Sequence, residues 1–440
     1  MNRTRPTASR RPDPRRAVAV WAAATAVYVV AILGRTSFGV AGVDAIDRFG
    51  VDASRLAVFT AVQVGVYAAA QIPAGMLIDR WGARRSLVGG ALVMAAGQLV
   101  LAATAGYPAA VAARVLVGAG DAGAFLSVMR LLPTWFDMRR TPLFTQLTSA
   151  LGQAGQFLSA VPFLALLHGP GWTPAFTALA AAGALVALLA WLAVRDAPGD
   201  AAAAGAAAGP GPGPRAALGA VLRHPACWQG FFTHFTGLLS MGVFTLLWGM
   251  PLMTLGQGMT PAAAGRVLVW FTVATIAAGP AVGLLSARLG ARRPAAALAG
   301  GLIIAAAWTW FLAPAEPRGP AAATALAVLV AVCTPVANTG FDTVRERVDR
   351  RVLAAGTGLA NMGGFLATMA AAQGIGLALD AAAPDGAYGW ADFRLAFLAM
   401  AAVWAVGMIG LAVTSRADLA PRRPRPVRPA GGRPTGGRPG

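Results

Sequence analysis

Apolar residues in this chain neither alternate nor recur as a single helical stripe; they come in runs of about twenty, broken by short polar clusters. Wound as a helix, such a run spans a hydrocarbon layer of roughly 30 Å. Twelve runs can be marked: 17–40, 54–77, 86–106, 108–132, 142–167 and 173–194, then 226–250, 262–286, 294–313, 321–341, 353–380 and 392–414. Between the two sets, residues 199–214 are almost wholly Ala, Gly and Pro, a composition that reads as a flexible linker. The tail beyond Arg416 is Pro, Arg and Gly and offers nothing to pack. The pattern predicts an all-α integral membrane protein with twelve transmembrane helices in two six-helix halves. The halves are 17–194 and 226–414, a linker fills 195–225, and basic tails occupy 1–16 and 415–440.

Charge sharpens this reading. The chain is 57% hydrophobic and 12% charged, and its 36 basic residues against 17 acids give +19. In a soluble protein that excess would suggest nucleic acid. Here it maps onto one side of the bilayer, so no nucleic-acid partner is expected. Every basic residue is arginine. With the N-terminus inside, 28 fall on cytoplasmic segments, and Arg48, Arg55, Arg266, Arg318 and Arg394 fall outside. Arg35, Arg114 and Arg130 lie within spans. That asymmetry predicts a multi-pass inner (plasma) membrane protein with both termini cytoplasmic. The stretch 1–16 holds six arginines and leads into an apolar run too long for a signal peptide, so it reads as the tail of an uncleaved first span. Cys227 and Cys333 fall in different spans and make neither a metal spacing nor a disulfide framework. With no Walker motif and no enzyme signature, the expectation is a monomer that is not an enzyme and holds no cofactor or metal.

The first half also carries a motif that the second half repeats. Gly75-Met76-Leu77-Ile78-Asp79-Arg80-Trp81-Gly82-Ala83-Arg84-Arg85 lies between the second and third runs. Shifted by 208 residues, it meets Gly283–Arg293 with seven of eleven positions identical. The second copy has Ala287 where the first has Asp79. The motif resembles the G-x-x-x-D-R-x-G-x-R-R signature of the major facilitator superfamily. That resemblance implies two parallel repeats around a central site, alternating access, and a latch that closes the cytoplasmic side. Gly75, Asp79, Arg80, Gly82, Arg84 and Arg85 then become gating candidates, with Asp79 pairing Arg130 or capping another helix.

Ionisable groups inside spans are costly unless they are paired or face water. Arg114 and Asp121, seven apart, lie on one helix face about 10 Å apart along the axis. The run from Ala113 to Phe125, with Trp135-Phe136 and Arg139-Arg140 after it, is similar to the anion–cation symporter and sugar-phosphate or organic-anion permease branches of the superfamily. Gly34-Arg35-Thr36-Ser37 resembles their first-span motif, with Gly34 where proton-coupled members often have an acid. The resemblance implies that Arg35 holds an anionic substrate and that Asp121, with Arg114, handles the proton. A structural Asp–Arg pair and a snorkelling Arg35 are the plainer alternatives. Tyr67 and Gln71, four apart on the second span, are cavity or helix–helix candidates, as are Gln153, His234 and Asn361. The function expected is proton-coupled uptake of a small organic anion through the lipid bilayer. The alternatives are a drug or metabolite efflux antiporter, a nitrate or nitrite carrier, and a non-transporting membrane sensor.

Overall fold

The computed structural model describes residues 13–51, 53–198, 212–383 and 388–419. Residues 199–211 of the expected linker and most of both tails lie outside these. The described chain is helical throughout. The first half comprises α1 (Pro14–Val40), a short α2 (Gly42–Phe49), α3 (Ala53–Trp81), α4 (Ala83–Ala103), α5 (Tyr107–Trp135), α6 (Thr141–His168) and α7 (Trp172–Ala193). After α8 (Pro214–Leu222), the second half has α9 (Pro225–Gly256), α10 (Pro261–Leu289), α11 (Arg293–Leu312), α12 (Gly319–Arg347), α13 (Leu353–Ala382), α14 (Trp390–Ala396) and α15 (Leu398–Leu419).

Among the described residues, eleven apolar helical stretches are long enough to cross a membrane, and one of them, Pro261–Leu312, is 52 residues. As one rod it would reach about 78 Å. It turns back instead at Gly290, whose φ of 48° is left-handed, so it contains two spans and the count is twelve. Many spans start on a proline in the first turn, among them Pro14, Pro142, Pro225, Pro261 and Pro320. The missing N–H falls where a helix has no partner for it anyway. Large apolar side chains such as Leu185, Leu246, Val269 and Ile409 are exposed around the outside, as a lipid-facing surface requires.

Three helices depart from α geometry. α6 carries a π turn at Ser159–Phe163, α9 carries two at Val243–Trp248 and Leu252–Gly256, and α12 tightens to a 3-10 stretch at Thr334–Asn338, around Pro335. Two helices lie where the apolar pattern marks only connections. In α8, within the expected linker, Ala217 and Val221 are four apart and buried, and the helix packs on α3 and α13. In α2, Arg48 donates from Nε to Thr104 O (3.0 Å) and from Nη2 to Ala102 O (3.2 Å), at the C-terminal end of α4, and lies 5.3 Å over the Trp172 ring. A cation there satisfies orphan carbonyls and complements the helix dipole. Arg48→Ala is therefore expected to cost about 1–2 kcal/mol. It would show as a lower apparent Tm in detergent.

The halves meet along two seams, α3 against α13 and α6 against α10. The repeat is visible at both. A Cβ on Gly75 would lie 2.5 Å from Ala354 O, at the start of α13, and one on Gly283 would lie 2.9 Å from Leu143 Cα, at the start of α6. Each motif glycine thus allows its helix to touch the first turn of a helix in the other half.

Candidate functional site

Arg35 and Asp121 form a two-pronged ion pair. Arg35 Nε donates to Asp121 Oδ2 (2.7 Å) and Nη2 to Oδ1 (3.0 Å). The Asp121 side chain is 0% exposed, whereas Arg35 is 19% exposed. The guanidinium lies 4.2 Å over the Tyr67 ring and 5.7 Å from that of Phe365. A planar fork meeting a carboxylate while its face stacks on an aromatic is a geometry lysine cannot make.

The pair joins α1 to α5, and Tyr67 links it onward to the other half. Asn361 Nδ2 donates to the Tyr67 hydroxyl (3.1 Å) and to Gln71 Oε1 (2.8 Å). Gln71 in turn donates to Tyr67 O (3.2 Å). His234 is buried in the second half, its ring 4.7 Å from Phe341. Gln153 accepts from Gln156 Nε2 (3.1 Å) and lines a cleft between α6, α9 and α10.

The alternative of a structural Arg114–Asp121 pair within α5 is not what forms. Arg114 Nη2 donates to Arg35 O (3.3 Å), and the guanidinium lies 4.6 Å over Phe38. Its Nε and Nη1 have no hydrogen-bond partner among the described residues. The two residues do share a face of α5. Two helical turns separate them, however, and Arg35 arrives from α1 at the carboxylate itself.

At the arginine-rich end, the Asp79 carboxylate accepts from Ala354 N (3.0 Å) and Ala355 N (2.9 Å) and lies 3.4 Å from Arg130 Nε. These are the first-turn amides of α13, where orphan donors and the dipole favour an anion. Gly75, Gln71 and Tyr67 continue the same face of α3, and Gly358, Asn361 and Phe365 continue that of α13. The Tyr67–Asn361 bond and the Asp79 cap therefore share one helix pair. The other motif residues act elsewhere. Arg84 donates to Trp191 O from both Nε and Nη2, and its backbone N donates to Asp196 Oδ1 (3.0 Å). A Cβ on Gly82 would run into Asp196. Both residues tie the α3–α4 turn to the end of α7 within one half, not across the seam. Arg80 and Arg85 are exposed.

Arginine placement alone missed a second crossing. Arg345 is buried, pairs with Asp342 Oδ1 (2.5 Å) and donates to Thr145 Oγ1 (2.8 Å) in the other half. Ser286 donates to Asp342 Oδ2 (2.6 Å), and Arg293 pairs with Glu346 Oε2 (2.6 Å). Gln146 donates to Pro335 O (2.7 Å) and accepts from Asn338 (2.9 Å). By arginine placement Arg345 belonged to a loop, but α12 continues six residues past the expected end at 341, to Arg347. The mixed run Asp342–Arg347 was the available signal, because a segment that only sets topology needs no acids. Matching Gly283 to Gly75 sets Pro142 opposite Ala354, and Pro142 has no N–H for an acid at 287 to accept.

Residues 24–372 match the family model described as Major Facilitator Superfamily. The chain belongs to this superfamily. Among solved structures it is similar to a bacterial homolog of the human lysosomal transporter Spinster, in an inward-facing and unoccupied conformation. The TM-score is 0.54 at 17% identity, covering 91% of this chain and 96% of that one. A curated relative, the "Probable sulfoacetate transporter SauU" of Cupriavidus necator, is 22% identical over 172 residues, 39% of this chain and 40% of the relative. The chain thus matches about two fifths of that relative's length. As a superfamily member it is a multi-pass membrane transporter rather than an enzyme.

Proposed function

We propose that the protein is a proton-coupled carrier that takes up small organic anions by alternating access, its arginine-rich face toward the cytoplasm. The observation that carries this reading is the Arg35–Asp121 pair, shut off from solvent on the acid side and partly open on the arginine side. The pair itself is neutral. An anion arriving alone would set a second negative charge beside Asp121 in a low-dielectric surround, at a cost of several kcal/mol. An anion arriving with a proton on Asp121 leaves the charge of the site unchanged. Protonation also removes the charge that holds Arg35, so the guanidinium fork becomes available to a carboxylate or sulfonate. One arginine shared by two ligands is thus enough for coupling. The curated relative's name, an organic-anion transporter, agrees with this substrate class.

Tyr67 and Asn361 complete the cycle. A substrate on Arg35 abuts the Tyr67 ring and perturbs the Asn361 bridge, which lies on the same helix pair as the Asp79 latch. The expected result in proteoliposomes is organic-acid uptake that needs an inward proton gradient and collapses with a protonophore. Export of a hydrophobic dye without acid uptake would favour the drug-efflux reading. Uptake of nitrate but of no organic acid would favour the inorganic-anion carrier.

A further inference from the structure

Beside the Arg35 site, α6, α9 and α10 surround a cleft of about 150 Å³. Its polar lining is Gln153, Gln156, Thr245, Thr272 and Thr275, and none of its described lining residues is charged. The hydroxyl directions are fixed. Thr245 donates to Met241 O (2.8 Å), Thr272 to Leu268 O (2.9 Å) and Thr275 to Phe271 O (2.9 Å). A hydroxyl has one proton and two lone pairs, so once the proton is given to its own helix, only the lone pairs remain for the cleft. Gln156 gives an N–H to Gln153 and keeps its own oxygen as an acceptor. The polar lining is therefore neutral, with the oxygens of the three threonines and of Gln156 as acceptors beside the Gln153 amide and the second Gln156 N–H as donors.

The cleft adjoins the charged site. The Thr36 and Ser159 hydroxyls are 2.8 Å apart, and Ser159 donates to Gln156 O (2.7 Å). Thr36 follows Arg35 directly, and Gln156 is less than one turn from Ser159. Both flanking helices carry π turns here, at Ser159–Phe163 and at Val243–Trp248, and Thr245 lies within the second. Such turns re-aim side chains and recur at functional sites.

We propose that this cleft is a second, neutral subsite that accepts hydrogen bonds from the end of the substrate remote from its anionic group. The protein then selects monoanionic acids bearing hydroxyl or N–H donors, over bare acids of equal length and over dianions. The assignment rests on the reading of Arg35 as the anion site. A bare alkyl chain would displace water from the acceptor oxygens and return nothing, and a site built for hydrogen bonds discriminates strongly against a ligand that lacks them. A second carboxylate would face those oxygens with no cation to meet it.

Three four-carbon acids separate these cases: threonate (a hydroxylated monoanion), butyrate (a bare monoanion) and succinate (a dianion at neutral pH). Calorimetric titration of the full chain in lipid nanodiscs, referenced to empty nanodiscs, is expected to show threonate binding at least about tenfold tighter than either of the others, for two hydrogen bonds gained. In the Thr272→Val/Thr275→Val double variant the threonate-to-butyrate ratio is expected to fall toward one. Using the ratio cancels any general loosening of the site. Equal or tighter binding of butyrate or succinate, lost in Arg35→Ala, would overturn the subsite and leave the Arg35 reading standing. A ratio unchanged in the double variant would also overturn it. Absence of Arg35-dependent binding by all three acids would bring down both.

Discussion

Arg35→Ala is expected to abolish organic-anion uptake, and Asp121→Asn to leave anion binding in place while removing its dependence on protons. The two residues form one pair, so a shared structural role would make the variants behave alike. Coupling predicts that they differ. Arg35→Ala removes the cation, and a buried anion without its partner loses about 3–5 kcal/mol, a factor of roughly 10² to 10⁴ in affinity. Lowering the pH cannot restore it. Asp121→Asn leaves Arg35 permanently unclaimed, so anions bind without a proton. Wild-type affinity should rise tenfold for each unit the pH falls wherever one proton is taken up with the anion, and the Asp121→Asn variant should be flat over the same range. Counterflow exchange should survive in Asp121→Asn, while uphill accumulation driven by a proton gradient is lost. Arg35→Lys keeps the charge without the fork and should fall between wild type and alanine. Equal, pH-independent losses in Arg35→Ala and Asp121→Asn would mark the pair as structural and sink the coupling mechanism.

How much of this was legible in the sequence differs from residue to residue. The twelve spans and the two halves follow from run length and arginine placement, because the bilayer leaves a chain few alternatives. Membership in the superfamily was carried by the Gly75–Arg85 motif and its copy at 283. That Asp79 would cap a helix was readable as a type of interaction, but which helix was not. Ala354 and Ala355 lie 275 residues away and carry no side-chain signal, since the donors are backbone amides. Arg114 shows the opposite difficulty. Helical spacing placed it on the Asp121 face and suggested a pair, but spacing within one helix says nothing of what a neighbouring helix inserts. Arg35 comes from α1 and takes the carboxylate. Arg345 was hidden by a rule that usually works. Counting arginines sets orientation without asking which of them are buried, and the acids beside it, Asp342 and Glu346, were the clue that this cluster is internal. The π turns were beyond reach as well, because they answer to packing between helices rather than to local propensity.

Asp79→Ala is expected to open the arginine-rich face. The carboxylate joins α3 to the first turn of α13, where it accepts two backbone bonds. Charge-assisted bonds of this kind contribute about 1.5–3 kcal/mol each when buried. Some of that is recovered by water once the face opens, so a net shift of roughly 3 kcal/mol is reasonable for the two together. That is about a hundredfold change in the ratio of closed to open molecules, enough to turn a minor population into a major one. Spin labels at Arg85→Cys and Arg350→Cys, both exposed and in different halves, would report it in a Cys227→Ala/Cys333→Ala background. The parent should give mainly a short inter-label distance, and Asp79→Ala mainly a longer one. Asp79→Asn keeps one acceptor oxygen but not the charge and should give a mixture. The second seam constrains the outcome. Thr145–Arg345 and Gln146–Asn338 still hold α6 to α12, so the opening should be a hinge about that side rather than a separation of the halves. Labels reporting on α6 and α12 should therefore move less than those on α3 and α13. An unchanged distance distribution in Asp79→Ala would show that the second seam alone keeps the face closed, and the latch role would pass from Asp79 to Arg345.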